Sequence, residues 1–271
     1  MLYQIDKIFK TITANPYQRN TYLELAPCEA LRPYIHCFWY SKNDKESANK
    51  SLVIPDLCMD IILYENNGYH ADFCGINNHS FYSVNTDTEP FGIRFYAWAI
   101  ALFADDTMAE TLNAYDCAQR YFCDFSNQTE EEILYAESLY EKKMLAENYL
   151  LKKLGNRSIN PSVLNSIVYT IRNNGKATVK DLADDSAVSK RKLERDFLST
   201  TGISPKQIVN LIRYQLLWQD VVKRDFNVFD SVEKYGFYDQ SHLLKEFKKY
   251  HGLTLTEARS EALRLSHFYN T

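Results

Sequence analysis

Glycine and proline are scarce. Eight and seven of them in 271 residues exclude a collagen-like or linker-dominated chain. Cysteine is sparse too: the six, at positions 28, 37, 58, 74, 117 and 123, form no C-x-x-C pair, so they make no disulfide scaffold and read as reduced thiols. No long hydrophobic run occurs; Ala97–Ala104 spans eight residues, against the roughly 20 that cross a bilayer, so no membrane partner is expected. The opening MLYQIDKIFK mixes charges and has no apolar core, so the expected location is the cytoplasm. His36, Cys37, His70, Cys74 and His79 are metal-ligand types but reach no zinc-module spacing, so neither a metal nor a cofactor is expected.

What is present suits packed domains: 45% hydrophobic residues, 24% charged, and 14% aromatic from 20 Tyr, 15 Phe and 3 Trp. The net charge of −4 is unevenly spread. Residues 1–159 carry 14 Lys and Arg against 22 Asp and Glu, a net of −8, whereas residues 160–271 carry 17 against 13, a net of +4. All six cysteines precede residue 124. Both shifts divide the chain in the same place.

The acidic part reads as strands. Tyr34–Tyr40, Ser51–Ile54, Asp60–Tyr64, His70–Cys74 and Phe91–Trp98 are short, aromatic and β-branched, with Asn66-Asn67-Gly68 and Asn77-Asn78 as turns. A single helix is expected over 129–154, opened by a Thr129/Glu132 capping box and stopped by Gly155-Asn156. Its apolar stripe serves either its own domain or a homodimer contact. The basic part reads as about seven helices: 161–174, 179–185, 189–200, 204–224, 229–235, 239–250 and 254–265. The expected fold is therefore an α+β two-domain protein. Residues 1–157 form a small β-barrel or sandwich with a helical tail, and residues 158–271 an all-α domain.

Shifting the basic part against itself by 50 residues pairs Val179 with Phe229, Leu182 with Val232, Leu193 with Leu243, Phe197 with Phe247 and Gly202 with Gly252. Each copy is a short helix, a turn, and a second helix opening on Ser189 or Asp239: a helix-turn-helix, twice. The candidate DNA contacts are the cap Ser189 with Lys190, Arg191, Lys192, Glu194 and Arg195, away from the apolar face of the first unit, and the cap Asp239 with Gln240, Ser241, His242, Leu244 and Lys245 in the second. Arg suits guanine, Gln adenine, Glu cytosine, an apolar tip the thymine methyl, and Lys the phosphates of double-stranded DNA. A lone charged helix face is ordinarily just solvated; a repeated one, joined by an expected helix of about 21 residues and roughly 31 Å, matches the spacing of successive major grooves.

Residues 160–271 resemble the DNA-binding domain of the AraC/XylS family of transcription regulators. The resemblance lies in Leu182-Ala183, Ser189, Leu193-Glu194-Arg195-Asp196-Phe197, Gly202-Ile203-Ser204-Pro205 and Arg213, then Tyr235-Gly236-Phe237-Tyr238-Asp239-Gln240-Ser241-His242-Leu243, Phe247-Lys248-Lys249 and Gly252-Leu253-Thr254. It departs from the family at Leu255, where Pro is usual, and at Ser231 and Glu233, where small apolar residues are common. Leu31–Tyr40, Ile54-Pro55-Asp56, Asp60–Leu63 and Gly92–Phe95 resemble, less specifically, the family's β-rich effector domains.

The resemblance implies a sequence-specific regulator, activation as its mode, RNA polymerase as a partner, and a dimerising N-terminal domain that senses a small molecule or a protein. Candidate ligand contacts are Trp39, Tyr40, Asp56, Asp60, Arg94, Tyr96 and Trp98, aromatics with a few polar anchors. The rival reading, a DNA-repair alkyl acceptor sharing this module, needs a Pro-Cys-His-Arg motif. The nearest run is Ala26-Pro27-Cys28-Glu29, so no catalytic residue and no enzyme activity is expected.

Overall fold

The first half of the chain is cut into short strands because turn residues recur before any apolar pattern reaches helical length. In the computed structural model, which describes residues 5–9, 11–12, 22–42, 50–84, 88–125 and 127–264, a single helical turn α1 (Ile5–Ile8) precedes eight strands. They are β1 (Tyr22–Leu25), β2 (Ile35–Ser41), β3 (Lys50–Val53), β4 (Cys58–Glu65), β5 (Tyr69–Cys74), β6 (Phe81–Val84), β7 (Phe91–Tyr96) and β8 (Tyr115–Cys117). Six form an antiparallel sheet in the order β1-β2-β7-β4-β5-β8, and β3 and β6 make a separate two-stranded ribbon. The expected barrel is thus met as a β-rich domain whose main sheet is open: no pairing joins β1 to β8 among the described residues.

Alternation gives this sheet two unlike faces. Phe38, Ile61, Leu63, Phe73, Phe91, Ile93 and Phe95 point into the core, where Phe73 meets Phe122 and Phe95 meets Phe103. The helical tail closes that side, with α2 (Asn127–Tyr135) against β4 and β5 and α3 (Leu139–Leu154) against α2. The tail is two helices where one was expected. Ser138 is the true N-cap of α3, its hydroxyl accepting from Glu141 N at 3.2 Å while the Glu141 carboxylate accepts from Glu137 N at 2.9 Å. With Ser138 as cap, a new helix starts just after the first ends.

The basic half folds into α4 (Pro161–Arg172), α5 (Val179–Asp185), α6 (Lys190–Thr201), α7 (Pro205–Val221), α8 (Val228–Tyr235), α9 (Gln240–His251) and α10 (Leu255–Arg264). The expected helices match to within a few residues; position 265, the expected last residue of α10, lies outside the described residues. The largest difference is α7, whose 17 residues make about 25 Å of unbroken helix.

Candidate nucleic-acid interface and N-terminal polar cluster

Both helix-turn-helix units are built from the same local parts. The hydroxyl of Thr178 and the carboxylate of Asp181 form a capping box that starts α5. Ser189 Oγ accepts from Lys192 N at 3.2 Å to open α6, and Asp239 Oδ1 accepts from His242 N at 2.7 Å to open α9. Leu182, Leu193 and Phe197 are fully buried in the first unit, as are Tyr235, Leu243 and Phe247 in the second. With those faces inside, the opposite faces must be outside.

They are. Lys190, Arg191, Lys192, Glu194 and Arg195 are all exposed on α6, and Ser241, His242, Leu244 and Lys245 on α9, with Gln240 half-buried. Some of these groups already have work within the chain. Lys192 Nζ pairs with Asp196 at 2.5 Å, while His242 Nδ1 accepts from Tyr238 N at 3.3 Å and its ring meets Phe237 edge-on. Ser189 and Asp239 serve as caps. Arg191, Glu194, Arg195 and Lys245 remain exposed along the two helices.

On the N-terminal sheet, register assembles part of the expected ligand set. Arg94 on β7 pairs with Cys37 of β2 and Asp60 of β4, and Gly92 lies between Trp39 and Ile62. Asp60 receives Arg94 Nε at 2.9 Å, Arg94 Nη2 at 3.2 Å and Trp39 Nε1 at 3.0 Å. A Cβ at Gly92 would stand 1.9 Å from the Trp39 ring, so only glycine lets the indole lie flat there. The Asp56 carboxylate accepts from Cys58 N at 3.0 Å, and burial pushes its pKa up to about 6, partly offset by the Arg94 charge.

The other expected contacts fall elsewhere. Tyr40 follows Trp39 in the strand and so lies on the opposite face, bonded to Glu89. Tyr96 is buried and stacked on Trp98 at 4.6 Å, and Trp98 borders a cleft between the two halves. Tyr22 is a residue the sequence reading missed. It stacks on Trp39 and accepts from Arg94 Nη1 at 3.3 Å, and the alternating Tyr22-Leu23-Glu24-Leu25 was the available signal.

Residues 182–261 match the family model of a helix-turn-helix domain, spanning both units. The C-terminal part is an AraC-type helix-turn-helix domain. Residues 23–115 match a second model, a domain of unknown function (DUF6597). A search of curated proteins gives no match. Among solved structures, ToxT from Vibrio cholerae O395 is 12% identical over 79% of this chain and 94% of that one, with a TM-score of 0.40. A second form of ToxT from V. cholerae is 10% identical over 89% and 98%, TM-score 0.43. ToxT of strain SCE256 with bound unsaturated fatty acid is 13% identical over 92% and 90%, TM-score 0.39.

The two departures from the AraC-type pattern are absorbed locally. Without proline, α10 is started by a Thr254/Glu257 capping box. Ser231 is buried, but its hydroxyl donates to Asn227 O at 2.8 Å, so no polar group is stranded. Among the described residues, the contacts between the N-terminal domain and this AraC-type domain include three. In the middle of α7 the buried Gln215 amide donates to Pro55 O (2.5 Å) and Ile12 O (3.1 Å) and accepts from Ile12 N (2.9 Å). At the end of α6, Met108 N donates to Ser199 O at 3.0 Å beside Gly202, and at the end of α9 Ser80 lies against Gly252.

Proposed function

We propose that this DNA-binding transcription regulator reads one side of a duplex with α6 and α9 in successive major grooves, under the control of its N-terminal domain. The observation that carries the reading is the repeat itself: two equivalent helices, each anchored by a buried leucine and phenylalanine, each turning unlike polar side chains outward. Arg191 and Arg195 read guanine, Glu194 cytosine, Gln240 adenine and Leu244 a thymine methyl, while Lys190, Lys192, Ser241, His242 and Lys245 hold phosphates or adjacent bases. α7 keeps the two apart. Its 25 Å falls short of the roughly 34 Å repeat of B-DNA, so the turns at its ends and the helix diameters supply the remainder.

The Trp39–Asp60–Arg94 cluster, with Tyr22 and Asp56 beside it, is the proposed effector anchor. Asp56 follows Pro55, whose carbonyl accepts from Gln215 of α7. A ligand that draws Arg94 or the carboxylates into new bonds moves the loop that the AraC-type domain leans on, and it shifts DNA affinity by its preference between the two arrangements. Activation, RNA polymerase as partner and residence in the cytoplasm complete this reading; no helix of the described residues is long and apolar enough to cross a membrane. Exposed Tyr140, Met144 and Leu151 on one side of α3 favour pairing of two copies or docking of a protein partner there. The test is operator binding by Arg191→Ala and Arg195→Ala proteins that fold normally. Weakened specific binding supports the reading face, and unchanged affinity in both removes it.

A further inference from the structure

One exposed side chain in the first turn of α9 is held in a single arrangement. The backbone N–H of Tyr238 donates to His242 Nδ1 at 3.3 Å, and the imidazole stands edge-on to Phe237, with ring centroids 5.5 Å apart and planes at 84°. Phe237 is itself buried, with the Arg213 guanidinium 4.9 Å from its ring centre, so the imidazole leans on a packed neighbour.

These contacts fix where the ring carries its proton. A backbone amide only donates, so Nδ1 accepts, the ring is neutral and the hydrogen sits on Nε2. Nε2 lies across the ring from Nδ1, His242 is exposed, and the described residues give Nε2 no acceptor. Asp239 caps the helix through His242 N, which makes His242 its third residue. Side chains there tilt toward the helix start, the end of a second helix that reaches base edges. The first unit has no counterpart: its equivalent residue, Lys192, is charged and bonds Asp196 at 2.5 Å.

A neutral donor gains less from a phosphate than a cation does, and Lys245, three residues on, already supplies the cation. The better partner is a base edge made of acceptors. Guanine offers only acceptors in the major groove, N7 and O6, whereas adenine sets its N6 donor beside N7, cytosine presents a donor, and thymine places a methyl beside O4.

We propose that His242 is a base reader of the second unit, its Nε2–H donating to guanine N7, and that the Tyr238 amide is the positioning group that keeps the hydrogen on that nitrogen. This role rests on the reading of α9 as a DNA helix and narrows it: Gln240 takes adenine and His242 takes guanine within the same block.

In the experiment the full chain selects its preferred duplex from a random pool. Each guanine of the second block, on either strand, is then replaced singly by 7-deazaguanine, which pairs normally and keeps O6 but lacks the N7 acceptor. One replacement should weaken binding by the parent roughly fivefold, the worth of one hydrogen bond. His242→Gln, whose amide N–H group reaches the place of Nε2, should keep most of that sensitivity. His242→Asn, whose oxygen still accepts from Tyr238 N but whose side chain ends short of Nε2, should bind the two duplexes alike. The replaced side chain is exposed, and unchanged thermal melting verifies that both variants fold. A second block without guanine, a parent indifferent to every 7-deazaguanine, or His242→Asn as sensitive as the parent would overturn the proposal. So would a loss that only methylphosphonate linkages beside the block produce, since that places Nε2 on the backbone. A chain that selects no sequence removes this proposal together with the regulator reading; one that selects two blocks yet ignores 7-deazaguanine removes this proposal alone.

Discussion

The two helix-turn-helix units share their anchors and differ in their attachments. Leu193 and Phe197 match Leu243 and Phe247, and the left-handed caps Gly202 and Gly252, at φ 74 and 82, match each other. The residue before each cap does not. Thr201 in the first unit donates to Phe197 O at 2.8 Å, whereas His251 in the second is buried among Tyr214, Trp218 and Phe247 and hydrogen-bonded to the Tyr214 hydroxyl. Burial pushes the His251 pKa down to about 4. The first unit leans on the N-terminal domain through backbone, Met108 N to Ser199 O, while the second meets it beside a serine side chain. A duplicated module keeps its core fixed by packing; its surface and docking points are where the copies diverge.

The largest effect should fall on what the copies share. Phe197→Ala and Phe247→Ala should each cost ~3–5 kcal/mol in chemical denaturation, because each removes a fully buried ring. A cost well under this range for either one would show that the two cores are not equivalent.

Acid should separate them. His251 is neutral in the fold with its pKa lowered from 6.5 to about 4, so its contribution is complete above pH 6.5 and is lost as pH falls from there toward 4. The full loss is about 3 kcal/mol. Melting followed by nuclear magnetic resonance should show the second unit loosening first below pH 6, and His251→Thr, the residue of the first unit, should remove that difference.

Smaller effects sharpen the contrast in readout. Arg191→Ala, Arg195→Ala and Gln240→Ala should each cost about 1–3 kcal/mol of specific DNA binding and relax preference at one base pair. Lys245→Ala should weaken all sequences alike and lower the salt slope by about 1. Smallest is the difference between the caps. Gly202→Ala brings a Cβ to 2.5 Å from the Met108 carbonyl oxygen, whereas Gly252→Ala brings one to 2.4 Å from the Ser80 hydroxyl, which can rotate away. Both carry the ~1–2 kcal/mol strain of a left-handed alanine, and thermal denaturation should show the extra loss at Gly202.

The C-terminal half was legible because its signals are local and repeated: Ser189, Asp239, Gly202 and Gly252 mark helix ends, and leucine and phenylalanine four apart mark the buried face. α7 was overestimated because Val222-Lys223-Arg224 continues a helical pattern that backbone turns at Val222 and Lys223 end. The tail was read as one helix because Ser138 sits among helix-compatible residues and only its bond to Glu141 reveals a new start. β6 and β8 are four and three residues, too short for alternation to register. Of the N-terminal cluster, Trp39, Asp60 and Arg94 could be named from residue type, but their meeting depends on the pairing of β2, β7 and β4, which no local pattern encodes. The separation of Tyr40 from Trp39 was readable from the two-residue period alone.

Selection of binding sites from a random duplex pool by the full chain tests the central claim most directly. Two readers on one rod predict an enriched sequence with two unlike blocks about one helical turn apart, the first lost in Arg191→Ala and the second altered in Gln240→Ala. A single block, or enrichment untouched by both substitutions, would contradict it.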